Sequence, residues 1–249
     1  MIHVTIPVRD QERTIGVLLW KIRKVIKDFG RDFRVLVYDD GSRDGTPEVL
    51  ARYTPFLPME VIRAEEPVGP GVALESLFER VVSETRYPKR DVVVTLQADL
   101  SDDPADIVDL VKAVEGGADI VVGRRVEREE DDTPFIARIG RRLVPLVLGP
   151  AYRKAPVSDP LAGFRAYRVV VLKKALRSGD PAPLATRRGP AGRVELLWAL
   201  ARHARRIEEV SVVPRPHLRL RTEPEPLWPI LQDCFAVRRS LAWGAEEAS

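Results

Sequence analysis

Short apolar runs alternate with longer amphipathic segments through the first half of the chain, and this alternation restricts the fold more than any other feature. The apolar runs predict buried strands at Ile2–Ile6, Arg34–Tyr38, Val61–Ile62, Asp91–Leu96 and Ile120–Val122. The segments between them predict helices at Gln11–Phe29, Val72–Val82 and Ala105–Val114, with another helix starting at Thr46-Pro47. Strands that alternate with helices of this length are typical of βαβ units and of a mostly parallel, Rossmann-like sheet flanked by helices.

The second half of the chain is less regular. Its patterns predict a helix from Pro134 as far as Pro145, a strand at Gly163–Tyr167, a helix at Val194–His203 and a strand at Arg206–Val213. We expect one α/β domain over residues 1–213. Residues 214–249 would then form a proline-rich segment that wraps over the surface and an amphipathic helix. The apolar stripe of that helix indicates core or homodimer packing, with contact to a membrane surface as the alternative.

Charge and residue counts argue against several classes of protein. The chain has 40 Lys and Arg residues against 37 Asp and Glu, which gives a net charge of +3. Because these cations are dispersed and few aromatic residues lie between them, we expect no nucleic-acid partner. The single cysteine, Cys234, excludes an internal disulfide and a cysteine-based zinc site. The three histidines are widely spaced, which argues against a histidine metal cluster.

No segment predicts secretion or a membrane span. The N-terminal sequence runs directly into a predicted strand and has no basic and apolar signal segment. The longest apolar stretch, Leu143–Ala151, contains two prolines and is far shorter than the roughly 20 residues that a span needs. We expect a cytoplasmic protein that is soluble or attached peripherally to a membrane.

Polar clusters follow the carboxyl ends of three predicted strands: Arg9-Asp10-Gln11, Asp39-Asp40 and Gln97-Ala98-Asp99. In an open α/β sheet these ends meet at one crevice, where ligands bind. Carboxylates gathered there repel one another unless a cation or a donor-rich ligand compensates. A Mg²⁺ ion with a bound diphosphate would do so, because Mg²⁺ takes one or two carboxylates plus phosphate oxygens. Each cluster alone is also a good turn sequence, but three at successive strand ends favour a ligand site.

Five motifs in order resemble the family 2 glycosyltransferases of the GT-A fold. They are VTIPVRDQERTI, VLVYDDGSRDGT, VVVTLQADLSDDPADI, ADIVVGRR and SDPLAGFRAYR, and RVELL and RRIEEVSV continue the match to about Val213. The resemblance is greatest to the polyprenyl-phosphate sugar synthases, a group that includes the dolichyl-phosphate mannose synthases. It implies a transferase that inverts the anomeric carbon of a nucleotide-diphospho-sugar. The domain would have a nucleotide-sugar half, residues 1–125, and an acceptor half, residues 126–213.

The resemblance also implies which residues bind the donor. The first motif would line the nucleotide pocket with Pro7, Val8, Asp10 and Gln11. Asp39 and Asp40 would contact the base and the ribose. Asp99 would be the main ligand of Mg²⁺ or Mn²⁺, with Gln97 as a second ligand and Ala98 between them.

On the acceptor side the resemblance assigns three residues. Arg124 would face the sugar or the phosphates, and Arg165 would clamp a phosphate. Asp159 would act as a general base if the acceptor is a hydroxyl, whereas a polyprenyl phosphate is already anionic and needs no base. We expect the polyprenyl phosphate, because several arginines cluster in the acceptor half of the sequence.

Two departures from the family pattern leave alternatives open. The first motif has Arg9-Asp10-Gln11 where the family has an aromatic residue, Asn and Glu, and Gln97 stands where the metal motif has aspartate. A neutral amide is a weaker ligand for a hard cation, so either metal affinity is lower or the sugar-diphosphate carries the ion in. A non-catalytic nucleotide-sugar-binding protein is therefore one alternative. A nucleotidyltransferase is disfavoured because no glycine-rich loop follows the first strand.

Overall fold

A mostly parallel sheet forms the centre of the protein. The computed structural model describes residues 1–126, 144, 146–149, 155–178, 183–187, 191–213 and 232–238. Within them the strands are β1 Ile2–Val8, β2 Phe33–Asp39, β3 Met59–Arg63, β4 Val92–Thr95, β5 Ile120–Arg125, β6 Arg165–Arg168 and β7 Ile207–Val212. Their order in the sheet is β3-β2-β1-β4-β6-β5-β7. Only β6 among these strands is antiparallel to its neighbours, β4 and β5, so the predicted sheet is confirmed.

Helices cover both faces of this sheet. Their bounds are α1 Ile15–Phe29, α2 Thr46–Tyr53, α3 Pro70–Glu84, α4 Ile107–Glu115, α5 Val169–Leu176 and α6 Ala191–Ala201. Helices α1, α2 and α4 pack on one face, and α3, α5 and α6 pack on the other. Because alternate residues of a strand point to opposite faces, the central strands carry apolar side chains on both sides, such as Val92 and Val93 of β4.

Strand β1 continues through Pro7, where the sequence predicted its end. The two sides of β1 differ in length, because its pairing with β4 ends at Thr5 whereas its pairing with β2 reaches Val8. The Val8 carbonyl accepts from the Asp40 amide on the β2 side, so Pro7 presents its missing N–H to the other side. Strand β4 has already ended there, and the proline removes no hydrogen bond from the sheet.

Two helices differ from their predictions for local reasons. Helix α1 starts at Ile15 and not at Gln11, because residues 11–14 form a turn in which the Thr14 and Ile15 amides donate to the Gln11 carbonyl. Helix α5 was not predicted at all. Its first turn contains three consecutive valines, which favour strands, yet their packing against α3 and α6 outweighs this local preference.

The reversed direction of β6 places the segment before it at a particular edge of the sheet. Arg165, the first residue of β6, pairs with Thr95, the last residue of β4. The described residues that precede Arg165, 155–164, therefore lie at the carboxyl edge of the parallel strands. This is the edge where the predicted donor-binding loops also lie.

The C-terminal apolar stripe is part of a small core where the structure describes it. Residues 232–238 are helical, and Cys234 and Val237 are buried against Val144, Leu148, Ala191 and Val194. Core packing thus accounts for these two positions. Three other predictions lie outside the described residues: the rest of the stripe, the wrapping segment Pro214–Pro229 and most of the predicted helix after Pro134. No helix in the described part of the chain is long and apolar enough to cross a membrane.

His3 makes the folded state sensitive to acid. It lies on the α3 side of β1, is buried, and has no hydrogen-bond partner for either ring nitrogen among the described residues. Burial lowers the pKa of His3 from 6.5 to about 4, although Asp91 nearby opposes the shift. The unfolded chain thus binds a proton between these two pH values while the folded chain does not. Stability is therefore full above about pH 6.5 and falls as the pH decreases to about 4.

We expect His3→Leu to abolish this part of the pH dependence. Over this pH range the wild type loses about 3 kcal/mol of its free energy of unfolding through His3. Urea unfolding of both proteins at pH 4 and pH 6.5 measures this loss. The carboxylates titrate in both proteins, so their effect cancels in the comparison. His203→Leu, at a half-buried position, is the control and should keep most of the slope. Equal slopes for wild type and His3→Leu would show that His3 is protonated in the folded state.

Candidate active site

The loops after β1 and β2 form one hydrogen-bonded surface. The Asp10 amide donates to Ser42 Oγ at 3.0 Å, and the Arg43 amide donates to Asp10 Oδ1 at 2.8 Å. The Gln11 amide donates to Thr46 Oγ1 at 2.8 Å. Asp10 adopts a left-handed backbone with φ of 52°, which turns the chain sharply between β1 and α1. The two predicted nucleotide-binding motifs are thus adjacent at the carboxyl edge, and Pro7 and Val8 lie directly beneath them.

Asp39 is a buried carboxylate at the end of β2. Its Oδ1 accepts from the Ser42 amide at 3.0 Å, which shapes the Asp-Gly-Ser turn. Its Oδ2 makes no hydrogen bond in the described structure and lies 3.5 Å from Arg63 Nε at the end of β3. Asp39 therefore keeps an acceptor oxygen that a nucleotide could use.

Asp40 joins the end of β2 to the start of α3. It is only 5% exposed, and its two oxygens accept from the amides of Val68 at 2.6 Å and Gly69 at 3.0 Å. Gly69 has a φ of 93°, a conformation that L side chains rarely adopt. The predicted nucleotide contact of Asp40 would therefore add to a structural role that this carboxylate already has.

The metal motif forms a compact turn after β4. Asp99 is buried, and its Oδ1 accepts from the Ser101 amide at 3.0 Å. The Gln97 side-chain amide lies 3.4 Å from Ser101 Oγ, and Leu100 has a φ of 61°. Ala98 is buried between them. Because β4 neighbours β1, this turn lies beside the Asp10 loop at the same edge.

Sequence reasoning missed a second buried carboxylate in this turn. Asp102 accepts from the Gln97 amide at 3.2 Å and lies 3.5 Å from Arg125 Nη2. Burial raises the pKa of Asp102, and Arg125 opposes this shift. Asp102 thus holds both ends of the turn and connects it to the end of β5. The sequence Asp102-Asp103-Pro104 is typical of a helix start, and only the structure separates the capping residue, Asp103, from its buried neighbour.

The possible metal ligands in this turn fit a divalent ion that also binds a diphosphate. No group of three His, Cys, Asp or Glu side chains suited to a metal occurs in the described part of the chain. Asp99 offers a carboxylate and Gln97 an amide oxygen, while Asp102 is paired with Arg125. Since Mg²⁺ needs only one or two carboxylates when phosphate oxygens complete its shell, the residues present fit such an ion.

The segment before β6 packs against the turn after β4. Gly163 packs against Gln97 so closely that an added Cβ would lie 3.1 Å from Gln97 Cγ. Thr95 Oγ1 donates to the Gly163 carbonyl at 2.6 Å. A side chain at position 163 would push Gln97 by a few tenths of an ångström, so glycine favours the observed position of Gln97.

Arg165 does not fit the phosphate contact predicted for it. It is 2% exposed, and its guanidinium donates to the carbonyls of Pro160 at 2.6 Å and Arg193 at 2.9 Å. These bonds link the segment before β6 to α6. Arg165 is therefore a buried structural link, and the sequence pattern could not distinguish this from an exposed clamp because both use an arginine at a strand start.

Asp159 and Arg124 also have local partners. Asp159 Oδ1 accepts from the Leu161 amide at 3.0 Å and so stabilises a turn before β6. Arg124 is exposed and donates to Ser211 Oγ of β7 at 3.0 Å. Because neighbouring strand residues point to opposite faces, Arg124 and Arg125 diverge. Arg125 pairs with Asp102 in the turn after β4, and a contact of Arg124 with the sugar or the phosphates stays a prediction.

Two glutamates hold the segment 183–187 beside the start of α3. Glu75 accepts from the amides of Leu184 at 2.8 Å and Ala185 at 3.2 Å. Glu195 accepts from the amides of Thr186 at 2.9 Å and Arg187 at 3.1 Å. Four consecutive amides thus bind two carboxylates. Glu195 of α6 therefore has a structural role.

Sequence comparisons agree with the motifs. A family model described as Glycosyl transferase family 2 matches residues 3–176. An undecaprenyl-phosphate 4-deoxy-4-formamido-L-arabinose transferase of Pseudomonas fluorescens (strain Pf0-1) is 28% identical over 173 residues, which are 69% of this chain and 48% of that protein. A dolichol-phosphate mannosyltransferase of Pyrococcus furiosus is 27% identical over 177 residues, 69% of this chain and 47% of that protein. The chain spans about half the length of these relatives.

Solved structures show the same fold. A glucosyl-3-phosphoglycerate synthase of Mycobacterium tuberculosis with Mg²⁺ and UDP has a TM-score of 0.66 at 21% identity, covering 97% of this chain and 79% of that one. TarS of S. aureus has a TM-score of 0.58 at 19% identity, covering 86% of this chain and 36% of that one. These likenesses confirm the predicted GT-A fold. Since the matched residues contain all three aspartate loops, the chain belongs to glycosyl transferase family 2.

Proposed function

We propose that this protein transfers a sugar, with inversion, from a nucleotide-diphospho-sugar to a polyprenyl phosphate. The observation that carries the proposal is the order of the strands. Because β2, β1 and β4 are neighbours, the loops of Asp40, Asp10 and Asp99 lie along one edge of the sheet. Such an arrangement suits a ligand with a base at one end and a diphosphate at the other.

On the donor side, the residues divide between the two ends of that ligand. Asp39 Oδ2, which is buried beside Arg63 but accepts no hydrogen bond, suits the N–H and O–H groups of a base or ribose. Asp99 and Gln97 would hold Mg²⁺ or Mn²⁺ together with the diphosphate. When bound, the ion supplies positive charge that stabilises the departing diphosphate.

On the acceptor side, the proposal rests on the relatives and on the chemistry of the attacking group. The two relatives described above are named for undecaprenyl-phosphate and dolichol-phosphate. A lipid phosphate attacks as an anion and needs no general base. Asp159, whose carboxylate stabilises a turn, would then act only through the position of the segment before β6.

We expect transfer to polyprenyl phosphate and little transfer to acceptors that offer only hydroxyls. The test supplies the full chain with UDP-, GDP- or dTDP-sugars, Mn²⁺ and each acceptor, and measures release of nucleoside diphosphate and glycosylated product. Asp159→Ala should keep most of the rate, because no base is removed. Asp159→Asn is the matched control, since it keeps the oxygen that accepts from Leu161.

Three outcomes would contradict the proposal. Transfer to hydroxyl acceptors alone, with a large loss in Asp159→Ala and in Asp159→Asn, would make Asp159 a base and the acceptor a hydroxyl. Calorimetric binding of a nucleotide-sugar without release of nucleoside diphosphate to any acceptor would make the protein a non-catalytic binder. If the protein bound no nucleotide-sugar at all, the proposed donor site would be wrong as well.

A further inference from the structure

An exposed tryptophan lies on the outer surface of α1. Trp20 is 53% exposed, whereas Leu18, Leu19 and Ile22 around it are fully buried. Lys24, one turn further along, places its Nζ 5.8 Å from the centre of the indole ring. A large aromatic side chain in water is costly, so its position beside a cation needs an explanation.

Helical spacing extends this surface toward a hollow. Gly16, Trp20, Arg23 and Lys27 lie in one row along α1. Gly16 lies against Tyr53 of α2, and Arg23 and Lys27 line a hollow of about 560 Å³ together with residues after α2. One of those residues is Phe56, which is 67% exposed. We name the surface formed by Trp20, Arg23, Lys24, Lys27 and Phe56 the basic aromatic face.

The charge of this face is positive and available. Arg23, Lys24 and Lys27 form no ion pair with any residue that the structure describes. Arg31, at the end of the same hollow, differs because it pairs with Glu115 at 3.3 Å. Asp32 also lines the hollow, and Asp28 follows Lys27 in the sequence, so the face carries acidic side chains as well.

We propose that the basic aromatic face binds the surface of an anionic lipid bilayer. Indole rings favour the boundary between headgroups and acyl chains, and lysine and arginine are attracted by anionic lipids. Long basic side chains can also lay their stems along the apolar boundary while their charges stay in water. A nucleic acid is the rival partner, and the net charge of +3 with dispersed cations disfavours it.

This surface would bring the enzyme to its acceptor, and in that respect it rests on the proposed function. A polyprenyl phosphate resides in a membrane, and no helix of the described residues can span one. Helix α1 follows β1 and therefore starts at the carboxyl edge, where the candidate active site lies. The basic aromatic face lies along the later part of α1 and around the hollow at the opposite, amino edge of the sheet, so a bilayer bound there would hold the protein at the membrane without covering the candidate active site.

Vesicle sedimentation with the full chain tests the surface without any transfer reaction. We expect binding to vesicles of phosphatidylcholine with phosphatidylglycerol, and little binding to phosphatidylcholine alone. Arg23→Glu combined with Lys27→Glu should weaken binding at least about 25-fold, since each cation contributes about fivefold. Trp20→Ala should weaken it about tenfold. The positions are exposed, so folding should be retained.

The matched control places the same charge changes on the opposite side of the sheet. Lys174→Glu combined with Arg177→Glu alters two exposed cations at the end of α5 and should leave most binding in place. Equal losses in both double variants, or unchanged binding in Trp20→Ala, would overturn the proposal. So would binding to DNA, but not to vesicles, that depends on Trp20. A protein that binds vesicles through this face yet transfers no sugar would refute the proposed function alone.

Discussion

Asp99→Asn should reduce sugar transfer by about 10²- to 10³-fold, the loss typical of removing one group that stabilises developing negative charge. Asp99 is the buried carboxylate at the centre of the turn after β4, and it would bind the ion that accompanies the diphosphate. Asparagine keeps the size and the oxygen that accepts from the Ser101 amide. The fold should therefore persist while the charge is lost. Initial rates at saturating donor, with thermal unfolding as a check on folding, measure the effect.

The control for this change is Asp109→Asn on the exposed side of α4, which removes the same charge from the same sheet face. Its rate should match the wild type. If Asp99→Asn kept its rate within a few fold, the turn after β4 would not hold the diphosphate, and the donor site would have to lie elsewhere.

Gln97→Asp should raise the affinity of the free protein for Mn²⁺ by about tenfold or more, because the number of charged ligands largely sets the affinity of such sites. In the wild type, Asp99 and the neutral amide of Gln97 would form only a weak site until a diphosphate joins them. We therefore expect Mn²⁺ to bind the wild type tightly only with a nucleoside diphosphate present. Titration calorimetry with and without the nucleotide measures both affinities.

Gln11→Glu provides the comparison, since it adds the same charge at the carboxyl edge but in the loop after β1. It should leave Mn²⁺ affinity nearly unchanged. Tight Mn²⁺ binding by the wild type without nucleotide would contradict the shared-ion arrangement. Equal gains in both variants would show a general effect of charge and not of ligation.

The strand-end loops were predictable because their signals are local. An apolar run followed by Asp, Gly or Ser marks a strand end in any α/β protein, and parallel strands bring such ends to one edge. Asp10, Asp40 and Asp99 are therefore placed where the sequence predicted them. Their roles toward a nucleotide stay predictions, and the two amides bound by Asp40 come from Val68 and Gly69, a segment that carries no marked motif.

The acceptor side was less predictable because it depends on contacts between distant residues. Arg165 and Arg124 resembled ligand-binding arginines, yet one is buried against carbonyls of Pro160 and Arg193 and the other lies beside β7. Strand register decides whether Arg124 or Arg125 faces the turn after β4, and Arg125 does so. The pairing of β5 with an antiparallel β6 sets that register, and no pattern within β5 reveals it.

Strand β6, the reversed strand among those that the structure describes, has a consequence for how proteins of this family can diversify. Since β6 enters the sheet from the catalytic side, the sequence between β5 and β6 both leaves and re-enters at that side. Its length can change without altering the order of the strands, provided that the residues just before β6, where Gly163 packs against Gln97, are kept. Under the proposed function, an exchange of sequence within this interval could change the acceptor while the loops after β1, β2 and β4 stay the same, which makes the interval a natural place for engineering or evolution to act.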